Sequence, residues 1–523
     1  MTDKNAVNLQ EKLSKKLIIL PTTAIDDGRN VSDFAADLGR ELKGLNVFVK
    51  DRVVVEARGD GRLSVMDPAR FCTWVEQYVS TCDVENLKKT MSNQTAALVL
   101  QCEQFMGQLR EVSLSLLCGS PAWGENGSVR LVSTGYDQQT KALISGPDDY
   151  TGEICGPEEA RAHVADLYSE CQFTSETSRA VAVASLLTPY CQLLLDPGEP
   201  IPCFGFTANV KRAGKTTLAK LSLYSTMGRF DLTPWPEGAD AAVEIHKTLF
   251  AASLAGAQYV VFDNVERKIR SSTLAALVTG GGKVSGRILG GHAFVEVAVP
   301  RLIYVTGNKL NLHHDIRDRF LLCEQTMEQT NGPKRWRRPL TSSTILALRR
   351  RTLAALWWMV KSWADAGRPP GTLWEERFGS WQRVVGGITE FNGFGNPAAQ
   401  EPLKHSPGSE DEDLSKTITA MDPAKEYDLD AIVEIWHDLD LFRDRLTEIG
   451  EMNLAEDKSK DAAGFRSWAG KLLRSAADGR DWGGRRLLRI PGKQRRVTWR
   501  VCLTGDPEAE LVKVEGREAL LPF

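Results

Sequence analysis

Hydrophobic and polar positions change period several times along the chain. Residues 1–15 are mostly polar and predict a flexible tail. From 16 to 167, short apolar runs at 17–20, 47–49 and 53–55 alternate with segments of helical period at 31–42 and 68–79, which predicts an α+β domain. Inside it, residues 130–137 and 141–145 read as strand, turn and strand, with Gly127 and Gly135 as punctuation. Between 168 and 330, apolar runs of strand length alternate with helical segments, the pattern of a parallel sheet joined by crossovers. Residues 331–395 keep a helical period and carry Trp357, Trp358, Trp363, Trp374 and Trp381 among Leu, Val and Ala, so tryptophan is expected as filler between packed helices. Pro397, Pro402, Pro407, Gly408 and the acidic run 410–413 predict a linker over 396–425. The last segment, 426–523, reads as helices near 429–441 and 462–477 followed by a hairpin turning at Pro491-Gly492, a small winged-helix-like domain.

Length and composition change this picture little. At ~150 residues per domain, 523 residues suggest three or four folded units. The 42% hydrophobic and 25% charged residues exclude a wholly disordered or fibrous chain. The 65 basic and 68 acidic residues nearly cancel, so any nucleic-acid contact must come from local patches. None of the ten cysteines forms the two-residue spacing of a zinc knuckle, and they are expected as reduced, mostly buried thiols. The longest apolar run, 180–195, is broken by Thr188 and Pro189 and falls short of the ~20 residues of a membrane span. A soluble, cytoplasmic protein with no membrane partner is the expectation.

The strongest chemical signal is a short apolar strand ending at Ala208, a loop from Asn209 to Ala213, and Gly214-Lys215-Thr216-Thr217 opening a helix. A loop feeding a helix N-terminus directs backbone N–H groups and positive potential at phosphate oxygens. On this reading Lys215 contacts the β- and γ-phosphates of ATP and Thr216 holds Mg²⁺. Asn209 stands where such loops open on glycine, and asparagine tolerates positive φ. Tyr259-Val-Val-Phe-Asp263 is a buried-strand run ending in an acid placed to hold the metal and its waters. Leu302-Ile-Tyr-Val-Thr-Gly-Asn308 is a further apolar strand, whose Asn308 is suited to orient the attacking water.

In this order, and with Arg287-Ile-Leu-Gly290, Thr306-Gly-Asn308 and Asp315-Ile-Arg-Asp-Arg319, the motifs resemble phage and mobile-element replication ATPases of the AAA+ superfamily-3 helicase type. Gly135-Tyr-Asp137, Ser178-Arg-Ala-Val-Ala182, Phe262-Asp-Asn-Val265 and Arg383-Val-Val-Gly-Gly387 add to the resemblance, which covers residues 110 to 395. It implies an α/β P-loop NTPase core, AAA+-like, over 168–330. It also implies a ring, a hexamer, with nucleotide held between subunits and an arginine reaching across. Arg319 is the residue placed for that finger, although relatives carry two adjacent arginines where this chain has Asp318-Arg319. Asn264 follows Asp263 where many relatives have a second acid, so it can orient water but cannot take a proton. Glu244, one turn before Lys247, matches a glutamate of relatives and is the alternative base; ordinary helix pairing explains it equally well.

Lys283, Arg287 and His292 lie around Gly290-Gly291, in a predicted hairpin that in superfamily-3 rings projects into the central channel and grips single-stranded DNA. Further basic clusters are Lys334 to Arg338, Arg349 to Arg351, and the C-terminal hairpin, where Arg485, Arg489, Arg495 and Arg496 suit a wing on duplex origin DNA. The resulting expectation is an ATP- and Mg²⁺-dependent DNA helicase or translocase serving replication of a phage or mobile element. A primase or other replisome protein would then be a separate partner, since residues 1–150 contain no paired-carboxylate primase motif. The alternative is a nucleotide-gated DNA-binding or loading scaffold with slow or no hydrolysis, which the departures at Asn209, Asn264 and Asp318 favour.

Overall fold

The computed structural model describes residues 15–21, 29–210, 213–236, 241–265, 269, 271–279, 282–287, 294–308, 310–327, 338–372, 376–399, 409–439, 441–442, 446, 460–477, 481–491 and 497–504. They fall into two compact units, Met1–Gln400 and Glu401–Phe523. No helix among the described residues is long and apolar enough to cross a membrane.

The centre of the first unit is a five-stranded parallel sheet. Its strands are β1 (Cys203–Ala208), β2 (Thr233–Pro234), β3 (Tyr259–Asp263), β4 (Leu302–Asn308) and β5 (Phe320–Gln325), in the spatial order β2-β3-β4-β1-β5. β1 is buried at all six positions, as expected of a strand covered on both faces. Its Phe204 and Phe206 stack on Tyr304 of β4, with centroids 5.4 and 6.0 Å apart. Gly205 leaves room for Leu322 of β5, whose Cδ2 would lie 2.6 Å from an added Cβ.

The helices of this unit include α1 (Pro157–Leu167), α2 (Glu176–Tyr190), α3 (Lys215–Met227), α4 (Ala241–Leu254) and α5 (Ser342–Asp365), of which α2 packs on β5 and α3 on β1 and β4. α3 packs against both α2 and α5, and Ser185 and Ser222 hydroxyls meet at 2.9 Å within that contact. Tryptophans close the core: Trp381 Nε1 donates to Thr188 Oγ1 at 3.0 Å, and Trp358 Nε1 to the Ile154 carbonyl at 2.8 Å.

The border expected at 167/168 does not separate two cores. One hydrophobic cluster runs from Leu117 to Phe394, and α1 packs on α5. Tyr150, Ile154, Ala160 and Val164 join the cluster that α5 enters, so Leu117, Cys118 and the segment from Tyr150 onward share the core of the sheet. The separate N-terminal core lies earlier, between Ile18 and Leu109. There the helix Val31–Leu42, capped by Asn30 Oδ1 accepting from the Asp33 N–H at 2.8 Å, buries Phe34, Leu38 and Leu42.

The second unit holds α6 (Ser409–Ala420), α7 (Leu429–Asp438), α8 (Lys460–Ala476) and an antiparallel hairpin of β6 (Arg485–Pro491) and β7 (Val497–Leu503). Tyr427 bridges Trp499 of β7. The expected linker 396–425 therefore contains a helix. Leu414, Ile418 and Met421 recur at helical spacing behind the acidic run and are buried with Trp436, Leu473 and Val501.

Candidate nucleotide site

β1 ends at Ala208 and α3 begins at Lys215, with Gly214 in the left-handed region (φ 100°) making the turn between them. The first bond within the helix runs from the Leu218 N–H to the Gly214 carbonyl at 3.1 Å. The N–H groups of Lys215, Thr216 and Thr217 thus precede the helical ladder, and the positive end of the helix lies at their position. Ala213 is buried beside them.

The parallel ladder brings the other groups to this end of the sheet. Ala208 pairs with Asn308, and Phe262 with Val305, so β1, β3 and β4 finish side by side. Lys215 Nζ donates to Asn308 Oδ1 at 2.6 Å. Thr216 Oγ1 donates to Asp263 Oδ1 at 3.0 Å, and Thr306 Oγ1 donates to the same oxygen at 2.5 Å. Burial lowers the pKa of the Lys215 ammonium, and the Asp263 carboxylate offsets part of that shift. Among the described residues no group of three or more His, Cys, Asp or Glu is placed to cage a metal. One hydroxyl and one carboxylate on hard oxygens are nevertheless the donor set Mg²⁺ uses when phosphates and waters complete its shell.

Thr306 is the site residue that motif reading passed over. Its hydroxyl also accepts the Asn264 N–H at 3.3 Å, fixing the exit from β3. Strand period supplied the signal, because Thr306 and Asn308 are two apart and share a face. Gly307 between them allows a close approach: an added Cβ would lie 2.3 Å from the Val265 carbonyl oxygen. Asn264 has φ 54°, an uncommon conformation that an amide side chain tolerates.

Asn209 has a different role from the one expected. It is not among the residues with positive φ; its side chain instead clamps the chain beyond β5. Asn209 Nδ2 donates to the Met327 carbonyl at 2.9 Å, and the Met327 N–H donates back to Asn209 Oδ1 at 3.0 Å. Glu244 lies on α4, half exposed, and accepts from Lys247 Nζ at 2.7 Å. Arg319 immediately precedes β5, where its carbonyl accepts the Cys203 N–H at 2.8 Å. Cys203 and Ala208 are the two ends of β1, separated by ~17 Å at ~3.3 Å per residue. Arg319 therefore sits at the end of the sheet opposite the loop that leads into α3 of its own chain. Burial lowers the pKa of neighbouring Arg317, partly offset by Asp318.

Comparison with solved structures finds similar chains at low identity. The A form apo structure of the NrS-1 C terminal region is 11% identical, with a TM-score of 0.37 over 87% of this chain and 95% of that one. SCCmec type IV Cch, an active helicase, is 11% identical, with a TM-score of 0.30 over 90% and 84%. The JCV helicase is 14% identical, with a TM-score of 0.21 over 46% and 68%. No family model and no curated protein matches the sequence.

The basic residues divide by what they touch. Lys283–Arg287 and Phe294–Ala298 form an antiparallel hairpin, seated on α4 by a 3.0 Å bond between His246 Nε2 and the Ser285 carbonyl. Exposed Lys283 pairs with Glu296 at 3.4 Å, and Arg287 ends the first strand; His292 lies outside the described residues. Arg349 Nη2 donates to the carbonyls of Leu117 at 2.5 Å and Thr226 at 2.9 Å, while its Nε reaches that of Ser225 at 3.2 Å. Arg350 pairs with Asp149 and Glu153, Arg351 with Glu159, and Arg338 with Asp166. These arginines are engaged within the fold, because α5 and its approach face acidic residues of α1 and the chain around it.

In the second unit Arg485 Nη1 donates to the carbonyls of Ile418, Thr419 and Met421 at 3.0–3.3 Å, capping α6. A carbonyl cluster at a helix C-terminus attracts a guanidinium, so Arg485 is held inside the unit. Arg489 is exposed on β6, opposite Trp499. Arg495 and Arg496 lie outside the described residues.

Proposed function

We propose that the chain is a Mg²⁺-dependent ATPase of AAA+ type, acting as a DNA helicase or translocase in replication of a phage or mobile element. The observation that carries this reading is the bonded group Lys215–Asn308 and Thr216–Asp263–Thr306 at the ends of three neighbouring parallel strands. That is the edge of an open parallel sheet where ligands bind, and it offers a cation, a helix N-terminus and a metal-suited oxygen pair together.

In this reading the N–H groups of Lys215, Thr216 and Thr217 bind the phosphates. Lys215 leaves Asn308 for the β- and γ-oxygens, and Asn308 orients the attacking water. Mg²⁺, when bound at Thr216 and Asp263, neutralises charge on the phosphates. Arg319 acts on the nucleotide of a neighbouring copy, because the length of β1 separates it from its own loop; this is the basis for proposing a ring, a hexamer. Lys283 and Arg287 on the hairpin, with His292, contact single-stranded DNA. Arg489, Arg495 and Arg496 serve a winged-helix-like unit on duplex DNA, and any primase is a separate protein.

The test is ATP turnover with and without single-stranded DNA, run beside native mass measurement. Stimulated turnover by an oligomer is expected, and Lys215→Ala and Asp263→Ala should each abolish it. Wild-type turnover in either variant would show the site assignment to be wrong. The scaffold reading has its own observation: Asn264 occupies the place after Asp263, and Glu244 is paired on an exposed helix face. Nucleotide binding without turnover would select it.

A further inference from the structure

A cavity of about 620 Å³ lies between the N-terminal strands and the starts of β1, β3 and β4, on the sheet edge opposite the phosphate loop. Its volume is in the range of small-molecule sites. Much of its wall is apolar, with Val53, Leu63, Leu195 and Val278, and Gln139 and Gln258 add amides.

Three cations line it: Lys283, which is paired with Glu296, and Lys50 and Arg301. Lys50 ends the strand Val47–Lys50, directly before a tight turn in which Asp51 and Arg52 both take positive φ, 49° and 64°. Arg301 directly precedes β4 and donates from Nη2 to the Glu199 carbonyl at 2.7 Å. No hydrogen bond or ion pair to the Lys50 ammonium is seen among the described residues. Burial lowers the Lys50 pKa, Asp51 offsets part of this, and Arg301 lowers it further. Burial also lowers the Arg301 pKa, with Glu199 opposing.

The acids around the cavity offset this pair only in part. Asp51, Asp196 and Glu199 are exposed at its rim, and Glu296 is paired with Lys283. Two part-buried cations with no carboxylate clamped between them carry a desolvation and repulsion cost, which an anion placed there offsets.

We propose that this cavity binds a small amphipathic anion, an apolar or aromatic body whose phosphate, sulfonate or carboxylate group is held by Lys50 and Arg301. Its occupant touches the start of β4, the strand whose far end carries Thr306 and Asn308, and the base of the hairpin at Lys283 and Glu296. The site is distinct from the phosphate loop and does not depend on ATP turnover.

The test is a fluorescence titration of the full chain with anilinonaphthalene sulfonate, with the phosphate loop saturated by Mg²⁺ and a non-hydrolysable ATP analogue. One probe is expected per chain. Lys50→Met and Arg301→Met should each weaken it by about tenfold or more, while Lys50→Arg retains binding. A thermal midpoint of Lys50→Met at or above wild type establishes that the fold is kept. Lys215→Ala, compared with wild type with nucleotide omitted from both, should leave probe affinity unchanged, so failure of the ATPase reading is separable. Equal affinity of wild type and Lys50→Met, or no saturable binding to wild type, overturns the proposal.

Discussion

At the scale of single residues, the site depends on side chains whose partners are remote in sequence. Thr306 gives Asp263 a second hydroxyl donor and receives the Asn264 N–H, so it fixes the carboxylate. Thr306→Val keeps the shape and removes the hydroxyl; turnover should fall by roughly 10- to 100-fold, with nucleotide affinity measured by calorimetry changing far less. Asn209 separates two physical explanations. Tolerance of positive φ would make Asn209→Gly harmless, whereas loss of the reciprocal bonds to Met327 should destabilise by about 1–2 kcal/mol in denaturant titration and weaken nucleotide binding. The glycine variant is expected to resemble Asn209→Ala. The local pattern around residue 209 is that of a loop opening on glycine, and nothing near it announces a partner beyond β5. Thr306 was legible, since a strand has period two and the residue shares a face with Asn308.

At the scale of elements, the parallel strands and the helix after Gly214 follow from apolar runs and a glycine that takes φ 100°, features visible in sequence. What the pattern conceals is which charges a helix turns inward. Arg349 to Arg351 read as a basic cluster because composition has no direction. In the fold Arg349 caps α3, the helix that begins at Lys215, by binding the Ser225 and Thr226 carbonyls near its C-terminus. Positive charge there complements the helix dipole, whose other end lies at Lys215. Arg349→Met, which keeps the aliphatic packing, should lower stability by about 2–3 kcal/mol in denaturant titration. DNA affinity should not change in that variant, because its donors are directed at backbone carbonyls and not outward. The acidic run at 410–413 misled in the opposite sense: it resembled a linker while Leu414, Ile418 and Met421 behind it carried a helical stripe.

At the scale of the whole molecule, the decisive feature is where cores close. A sequence pattern locates strands and helices but not which of them share an interior, since that is set by contacts far apart in the chain. Hence α1 pairs with α5 across nearly two hundred residues of sequence, and the border expected at 167 falls inside one core. By contrast, the cluster containing Trp436, Trp482 and Trp499 is confined to Glu401–Phe523. Compact units unfold as separate cooperative units, and the N-terminal core lies within Met1–Gln400 with the sheet. Differential scanning calorimetry of the full chain should therefore resolve two transitions. Mg²⁺ with a non-hydrolysable ATP analogue, at about a hundred times its dissociation constant, should stabilise the unit that holds Lys215 by about 2.7 kcal/mol and leave the other where it was. Lys215→Ala should remove that shift without moving either transition in the absence of nucleotide. Movement of both transitions together would mean that the two units unfold as one.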